Sequence, residues 1–364
     1  MAFSSIRHLY VHIPFCPHIC PYCSFHVLRA DKELSHILVT RLIEEHRSIH
    51  DDLDLQTVFF GGGTPTALST AQLERVASEI LGKSNPAEVT AECNPSTLSL
   101  QKAKSMWAHG INRLSIGAQS MDPKVLQKLG RTHSVRAVRE CVEIGRSAGF
   151  ENINIDLIFG VPGQTLASWE KTLETVLSLN PSHLSCYGLT YEEDTDFFAR
   201  LQRGECQSDQ ELELEMFRLA NRILTQAGFH HYEISNYARP GFESLHNLSY
   251  WRGEEFHGIG PSAVSTVQGV RRTNGKLTPQ GWNVKSEEPL SAQILASERM
   301  ALGLRTSEGV EEEAFRKRFG FSPEEKWRQE IDLLVGNSLL TKNPFKLSAH
   351  GLELADEIAA YFVG

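Results

Sequence analysis

Long apolar runs are missing from this sequence of 364 residues. No uninterrupted apolar stretch approaches the roughly 20 residues that a membrane-spanning helix needs, so no transmembrane segment is expected. The first seven residues, Met1 to Arg7, also lack the apolar core that secretory signal peptides carry. These two absences predict a cytoplasmic protein, in which thiols stay reduced.

Positive charge is also scarce. The chain has 36 Lys and Arg against 45 Asp and Glu, which gives a net charge of -9 and a pI near 5.9. A protein that binds nucleic-acid phosphates without sequence preference needs clustered cations, and no such run stands out. Nucleic acid is therefore not an expected partner. The hydrophobic content of 41% and the length suit one large domain and a smaller one.

Cysteine is infrequent, and its distribution is uneven. Three of the seven cysteines, Cys16, Cys20 and Cys23, fall within eight residues. The prolines among them disfavour a helix, which predicts a loop that follows a short strand over residues 9–13. The other four occur singly, and two of them lie in apolar segments that predict buried positions: Cys141 and Cys186.

Clustered thiols in a reducing compartment indicate a metal site. Three thiolates leave a zinc site one ligand short, and His12, His18 or His26 could complete it. Three thiolates also suit a four-iron cluster with one iron open to a small ligand. Both readings stay open on ligand number alone, whereas an intramolecular disulfide cannot use all three cysteines.

The pattern of a strand followed by a helix repeats six times along the chain. It predicts strands at residues 9–13, 57–60, 89–92, 113–117, 153–158 and 182–189. It predicts helices at residues 31–49, 70–81, 98–109, 135–148, 166–179 and 207–228. Six such units in series predict an α/β fold with a parallel sheet curled into a partial (β/α)6 barrel. In such barrels the functional groups lie at the C-terminal ends of the strands, and polar residues occur there in each unit.

The last part of the chain changes in character. Residues 289–364 predict helices around a small hairpin, which is typical of a winged-helix-like domain. Glutamates rather than a basic stripe surround its start, so a lid or a partner surface is expected instead of a DNA-binding face. We expect a core barrel at residues 1–235, a connecting segment at 236–288 and this C-terminal domain at 289–364.

The sequence YVHIPFC-x-x-x-C-x-Y-C resembles the cluster loop of radical S-adenosylmethionine proteins. Within them it is similar to the oxygen-independent coproporphyrinogen III oxidases and their relatives, the haem chaperones. The resemblance implies that Cys16, Cys20 and Cys23 hold a 4Fe-4S cluster whose fourth iron is chelated by S-adenosylmethionine.

The resemblance also implies roles for residues near the strand ends, and it extends over most of the chain. These roles are Tyr10 beside the sulfonium; Tyr22 and Gly188 near the adenine; Gly62, Gly63 and Thr64 near the methionine amino group; Glu92 near the methionyl and ribose groups; Gln119 and Arg131 at the ribose and methionine carboxylate; and Asp156 at the ribose hydroxyls. It assigns no residue a catalytic role.

The segment HNLSYW, residues 246–251, resembles a segment of the haem chaperones that is proposed to contact haem. Interpreted as a strand, it would place His246 and Tyr250 on one face but about 13 Å apart, so that only one of them could ligate an iron. His246 is the expected ligand because histidine is the common axial residue. The alternative is that the His, the Tyr and Trp251 only pack.

Two functions compete for this chain. As a haem chaperone it would bind haem, the cluster and S-adenosylmethionine and pass haem to an acceptor protein, for which a membrane-bound respiratory protein is a candidate. As the oxidase it would decarboxylate coproporphyrinogen III in porphyrin metabolism. The oxidases have a fourth cysteine where Phe25 stands, and they have a longer N-terminal arm. These differences and HNLSYW favour the chaperone. A radical enzyme acting on another substrate is the third alternative.

Overall fold

The computed structural model describes residues 6–49, 53–82 and 84–363. The expectation about the first residues of the chain, Met1 to Ser5, therefore lies outside the described residues. Among the described residues, no helix combines the length and the apolar character needed to cross a bilayer.

The strands fall into one large sheet and three small ones. In chain order they are β1 (Ile6–Ile13), β2 (Phe15–Cys16), β3 (Leu28–Arg29), β4 (Leu53–Gly62), β5 (Glu88–Cys93), β6 (Arg113–Gln119), β7 (Asn152–Phe159), β8 (His183–Gly188), β9 (His230–His231), β10 (Asn236–Ala238), β11 (His257–Ile259), β12 (Val264–Val267), β13 (Val270–Asn274), β14 (Val284–Pro289), β15 (Leu340–Thr341) and β16 (Lys346–Leu347).

The helices alternate with the strands of the large sheet and then dominate the C-terminal part. They are α1 (Lys32–Ile49), α2 (Thr70–Leu81), α3 (Leu100–Ala108), α4 (Pro123–Lys128), α5 (Val135–Ala148), α6 (Leu166–Leu177), α7 (Asp196–Gln202), α8 (Gln210–Gln226), α9 (Leu245–Trp251), α10 (Ala292–Gly303), α11 (Glu312–Phe319), α12 (Pro323–Gly336), α13 (Ala349–Glu353) and α14 (Ala355–Val363).

The large sheet has the strand order β11-β1-β4-β5-β6-β7-β8-β10-β9. All neighbours from β11 to β8 are parallel, and β10 and β9 are antiparallel additions at the other edge. The six predicted βα units are confirmed. The seventh parallel strand, β11, was not predicted, and it pairs with β1 from the side opposite β4.

Side-chain alternation along the strands separates an apolar outer layer from a polar interior. On β6, Leu114 and Ile116 are fully buried, while Arg113 and Ser115 alternate with them in sequence and line the cavity described below. Because successive side chains of a strand point to opposite faces, one strand can serve both layers. The outer residues form one continuous core with the surrounding helices.

The C-terminal part has its own hydrophobic core, which includes Met300, Phe315, Trp327, Ile331 and Phe362. The predicted hairpin is present as the antiparallel pair β15 and β16. After the hairpin, two short helices, α13 and α14, are separated at Leu354. A parallel-sheet α/β fold with a helical, winged-helix-like C-terminal region is thus confirmed, whereas the domain boundaries stay predictions.

The interpretation of HNLSYW as a strand is wrong, because this segment forms the helix α9. The buried carboxylate of Glu88 accepts hydrogen bonds from the backbone N-H groups of Leu245 and His246 at 2.9 and 3.1 Å. Ser244, the N-cap, accepts a further bond from the Asn247 amide. A carboxylate at a helix N-terminus satisfies amides that have no partner within the helix and is stabilised by the helix dipole. The helical fold therefore depends on a residue of β5.

Candidate functional site

A cavity of about 510 Å³ lies at the C-terminal ends of the barrel strands. It is lined by most of the residues that the sequence singled out: Cys16, Cys20, Tyr22, Cys23, Gly62, Gly63, Thr64, Glu92, Gln119, Arg131, Asp156 and Gly188. The end of the barrel is where parallel α/β folds bind their ligands. The structure thus brings together residues from six separate parts of the chain.

Cys16 reaches this cavity from the end of β2, and Cys20 and Cys23 reach it from the loop between β2 and β3. The Cys16 thiol lies 3.5 Å from the Thr64 hydroxyl, and the Cys23 amide donates to the Cys20 carbonyl at 3.1 Å. Burial raises the pKa of Cys16 to about 11 and also raises the pKa of Cys23. Cysteines bind metals as thiolates. A bound metal cation would replace the thiol protons and stabilise the negative charge on the sulfurs.

The zinc alternative needs a histidine as the fourth ligand. His12 already contacts the Tyr10 hydroxyl through Nδ1 at 3.2 Å and the His26 carbonyl through Nε2 at 3.1 Å. His26 accepts a hydrogen bond from the Leu277 amide at 3.3 Å, while His18 lines the cavity. Within the described part of the chain, no three His, Cys, Asp or Glu side chains are grouped as ligands of a single metal ion.

The glycine turn after β4 packs directly against the cysteine loop. A side chain at Gly63 would meet the backbone of Pro14 at 2.7 Å. The Gly63 amide donates a hydrogen bond to the Ile13 carbonyl at 3.0 Å. Gly62 has a φ of +99°, and a side chain there would collide with the ring of His12. Glycine is therefore required for contact within the protein, in addition to any role beside a ligand.

Arg131 connects the cysteine loop to β6. Its Nη1 donates to the Cys20 sulfur at 3.3 Å, and its Nη2 donates to the Gly117 carbonyl at 2.7 Å. Its Nε is buried and has no hydrogen-bond partner. Gln119, beside it, has a left-handed φ of 68° at the point where the β6 register shifts. Arg131 therefore retains one donor for a ligand while it orients a cysteine.

Two carboxylates and a buried arginine form the floor of the cavity. Burial, followed by repulsion from Asp156, raises the pKa of Glu92 to about 8, and burial also raises the pKa of Asp156. Asp156 accepts a hydrogen bond from Asn154 at 2.7 Å, and Glu92 accepts one from the Gly62 amide at 3.2 Å. Buried Arg113 attracts both carboxylates electrostatically.

Sequence reasoning missed Arg113, Ser115 and Asn154, which line the cavity. The available signal was their period of two: Arg113 and Ser115 on β6, and Asn154 and Asp156 on β7, interrupt otherwise apolar strands. Polar residues on alternate positions of a buried strand share one face, which here is the barrel interior.

Tyr10 does not line the cavity. Its ring stacks on Phe59 at 6.1 Å, and it is the ring of Phe59 that forms the wall. Tyr22 does line it and meets Phe197 edge to face at 6.2 Å. Tyr22 and Gly188 therefore lie on the cavity wall, while Tyr10 lies one layer behind.

His246 and Tyr250 lie behind the wall, and Asn247 of the same helix lines the cavity. His246 is 1% exposed. Its Nδ1 is 2.7 Å from the Thr57 hydroxyl, and its Nε2 is 2.8 Å from the Tyr250 hydroxyl. Because α9 is a helix, residues four apart share a face, and the argument that placed these two side chains about 13 Å apart does not apply. Ligation of an iron by His246 requires one of its two hydrogen bonds to break.

Comparisons with known proteins agree with this geometry. Residues 10–176 match the Radical SAM superfamily, and residues 290–353 match the HemN C-terminal domain. A Lactococcus lactis protein described as heme chaperone HemW is 37% identical over 97% of this chain and 96% of its own length. The Bacillus subtilis protein of the same description is 33% identical over 99% of this chain and 100% of its own. The solved structure of Escherichia coli coproporphyrinogen III oxidase superposes with a TM-score of 0.84 at 23% identity, covering 99% of this chain and 91% of that one.

The fold, the cysteine loop and the family match define a radical S-adenosylmethionine protein. Within that class, the chain belongs to the family of the heme chaperone HemW. A 4Fe-4S cluster and S-adenosylmethionine are the cofactors of this class. The described residues fit them, because three thiols, an arginine with an unpartnered Nε donor and two carboxylates surround one cavity.

Proposed function

We propose that this protein is a haem chaperone, which binds haem and transfers it to an acceptor protein. The observation that carries the proposal is the combination of the cysteine-lined cavity with α9, the HNLSYW helix, in a chain similar to named heme chaperones over almost its whole length. The cytoplasm is the proposed location, and the acceptors include membrane-bound haem proteins as candidates.

We further propose that Cys16, Cys20 and Cys23 ligate three irons of the cluster. A reduced 4Fe-4S cluster supplies an electron to S-adenosylmethionine when both are bound. The Nε of Arg131 is available to the methionine carboxylate, with which a guanidinium forms a charge-assisted hydrogen bond. Glu92 and Asp156 are the acceptors for the methionyl and ribose groups, and Tyr22 and Gly188 border the adenine.

Tyr10 acts from behind Phe59 in this proposal, since its hydroxyl is held by His12. Gly62, Gly63 and Thr64 keep the cysteine loop close to the methionine amino group. Gln119 borders the ribose at the β6 register shift.

At the haem site we propose His246 and Tyr250 as the candidate axial ligands. Burial lowers the pKa of His246 to about 3, so the imidazole is neutral and can offer a nitrogen lone pair at physiological pH. Its hydrogen bond to Tyr250 couples the two side chains, and His246 can ligate an iron only when its bond to Tyr250 or its bond to Thr57 opens.

A paired assay of the reconstituted protein tests the function. One sample receives haem, and the other receives coproporphyrinogen III with S-adenosylmethionine and a reductant. The chaperone proposal expects haem to remain bound through gel filtration and to pass to an apo-acceptor, without consumption of the porphyrinogen. Turnover of coproporphyrinogen III in proportion to S-adenosylmethionine, with no retained haem, would replace the chaperone by the oxidase.

A further inference from the structure

A second cavity, of about 520 Å³, is bordered by the C-terminal end of α9. We call it the α9–α10 groove. It is bounded by α9, the loop after it, β12, β13, α10, α11 and the last turn of α14. Its apolar wall is formed by Tyr250, Trp251, Phe256, Leu295, Leu302 and Val363. Two of these residues belong to HNLSYW, so the same helix borders both cavities.

Two arginines of this groove have backbone carbonyls as their hydrogen-bond partners. Arg299 donates to the Trp251 carbonyl at 3.4 Å, and Arg318 donates to the carbonyls of Arg252 and Gly253 at 3.3 and 2.6 Å. Among the described residues, neither forms an ion pair within 4.0 Å. Glu254 and Glu255 attract Arg318 only from a greater distance.

The acidic residues of the groove already have partners. Glu298 forms a two-pronged ion pair with Arg271 at 2.9 and 2.8 Å. Glu254 accepts from His8 at 3.0 Å. The two guanidinium groups of Arg299 and Arg318 are therefore the charges of the groove that lack a close counter-ion.

The two guanidinium groups are also held near each other at Gly253. A side chain at this glycine would meet Arg299 Cδ at 3.3 Å and Arg318 Nη1 at 3.7 Å. A side chain at Gly303 would overlap the Arg299 guanidinium. Burial, and then repulsion by Arg318 and Arg252, lowers the pKa of Arg299 to about 10. An anion placed between the two arginines would relieve this repulsion.

We propose that the α9–α10 groove is the haem site, with the porphyrin ring against the aromatic wall and the two propionates on Arg299 and Arg318. This inference rests on the proposed chaperone function. Haem is a planar apolar ring with two carboxylates on one edge, and the groove combines an apolar wall with two neighbouring cations. Its volume lies within the range of small-molecule sites, and arginine forks suit carboxylates.

The groove also defines how HNLSYW takes part. Tyr250 and Trp251 contact the ring directly, while His246 lies one turn back and is hydrogen-bonded to the Tyr250 hydroxyl. His246 therefore positions Tyr250 at the groove wall, and it could ligate an iron only if one of its two hydrogen bonds opened.

Titration with haem and with haem dimethyl ester, in which both propionates are neutral, tests the site. Wild-type protein is compared with Arg299→Ala/Arg318→Ala and with the control Arg316→Ala. Arg316 lies in the same helix as Arg318 but pairs with Glu325 at 2.9 Å, outside the groove. We expect the double variant to bind haem at least tenfold more weakly than wild type and to lose the preference for haem over the ester. Affinity for the ester, cluster content and the control variant should remain unchanged.

If the double variant binds haem as tightly as wild type and keeps the preference for haem over the ester, the groove is not the haem site. The chaperone proposal would remain in place. Failure of the wild-type protein to retain haem would overturn both. If the double variant does not fold, Leu295→Trp, which fills the groove without removing an arginine, is expected to weaken haem and the ester together. Displacement of haem by equimolar oleate would show a general carboxylate groove and would contradict the proposal.

Discussion

The Nε2 atom of His246 lies 2.8 Å from the hydroxyl oxygen of Tyr250, and this contact crosses one turn of α9. On the other side of the imidazole, Nδ1 meets Thr57 of β4, and Thr57 in turn meets His8 of β1 at 2.9 Å. The motif that resembles a haem-binding segment is thus joined by hydrogen bonds to the two strands that precede the cysteine loop and the glycine turn. These contacts connect the proposed haem site to the barrel.

Removing any thiol of the loop is expected to abolish the cluster. Cys16→Ser, Cys20→Ser and Cys23→Ser should each lose the brown chromophore after anaerobic reconstitution, because in our proposal these three cysteines are all the protein ligands. The control variants replace cysteines that lie outside the cysteine loop: Cys141→Ser, Cys186→Ser and Cys206→Ser. Iron analysis should find wild-type content in these controls. Purified protein that contains zinc and no iron would contradict the cluster assignment.

S-adenosylmethionine should perturb the electron paramagnetic resonance spectrum of the reduced cluster. Arg131→Lys should weaken this effect, because lysine cannot reproduce the planar fork that holds Cys20 and offers a donor to a carboxylate. Asp156→Asn should also raise the concentration of ligand required, by roughly tenfold for the loss of a charged hydrogen bond. A spectrum that does not change at saturating ligand would rule out coordination to the cluster.

Glu92 should make the stability of the cluster-free protein depend on pH. Its pKa is about 8 in the folded protein against 4.5 for the ordinary value, so the folded state binds the proton more tightly than the unfolded state does. The free energy of unfolding should therefore fall as pH rises from about 4.5 to about 8. Glu92→Gln should remove most of this loss, on the order of 2 kcal/mol after allowance for water in the cavity.

The measurement compares the melting temperatures of wild type and Glu92→Gln at pH 5 and pH 8.5. Glu170→Gln is the control, because Glu170 is an exposed residue of α6. Equal pH dependence in wild type and in Glu92→Gln would show that Glu92 ionises normally in the folded protein.

His246→Ala should lower haem retention and shift the Soret band while leaving cluster content unchanged. The variant removes both a candidate nitrogen ligand and the partner of the Tyr250 hydroxyl. Tyr250→Phe keeps the ring at the groove and removes only the hydroxyl, at a cost of about 1 kcal/mol in unfolding free energy. A shifted Soret band and lower haem retention in Tyr250→Phe, with neither change in His246→Ala, would assign the ligand to the tyrosine.

Glu88→Gln should destabilise α9. The carboxylate accepts from two backbone amides and the Ser244 hydroxyl in a buried position, and a neutral amide cannot replace these charge-assisted bonds. We expect a loss of about 2 kcal/mol in unfolding free energy and faster amide exchange at Leu245 and His246. Glu170→Gln again serves as the control, and slow exchange at both amides in Glu88→Gln would contradict this role for the carboxylate.

The repeated βα units could be predicted because their signals are local. The helix predicted at residues 135–148 is observed with the same bounds, and it has a serine N-cap and a glycine C-cap. The cysteine loop and the glycine turn were likewise readable from spacing. Arg113 and Asn154 were missed even though they alternate with apolar neighbours. Polar residues at alternate positions of a buried strand resemble the end of a shorter apolar strand rather than one face of a longer strand.

Features that depend on distant partners could not be predicted. The helix that contains HNLSYW has a local N-cap, Ser244, but its first amides also bind the carboxylate of Glu88 on β5, and no local signal identifies that carboxylate. β11 has only three residues and is a strand because β1 has an open side. The groove arginines come from α10 and α11, and only the packing of these helices beside α9 brings them together.

The position of β1 between β4 and β11 has a consequence for biosynthesis. The cysteine loop extends from β1, and β11 is formed by residues 257–259, which leave the ribosome long after the loop does. Until then, one side of β1 presents unpaired amides and carbonyls, as an edge strand does. We therefore expect nascent chains that end before residue 257 to acquire the cluster poorly and to depend on chaperones, so that cofactor insertion follows translation of the barrel rather than accompanying it.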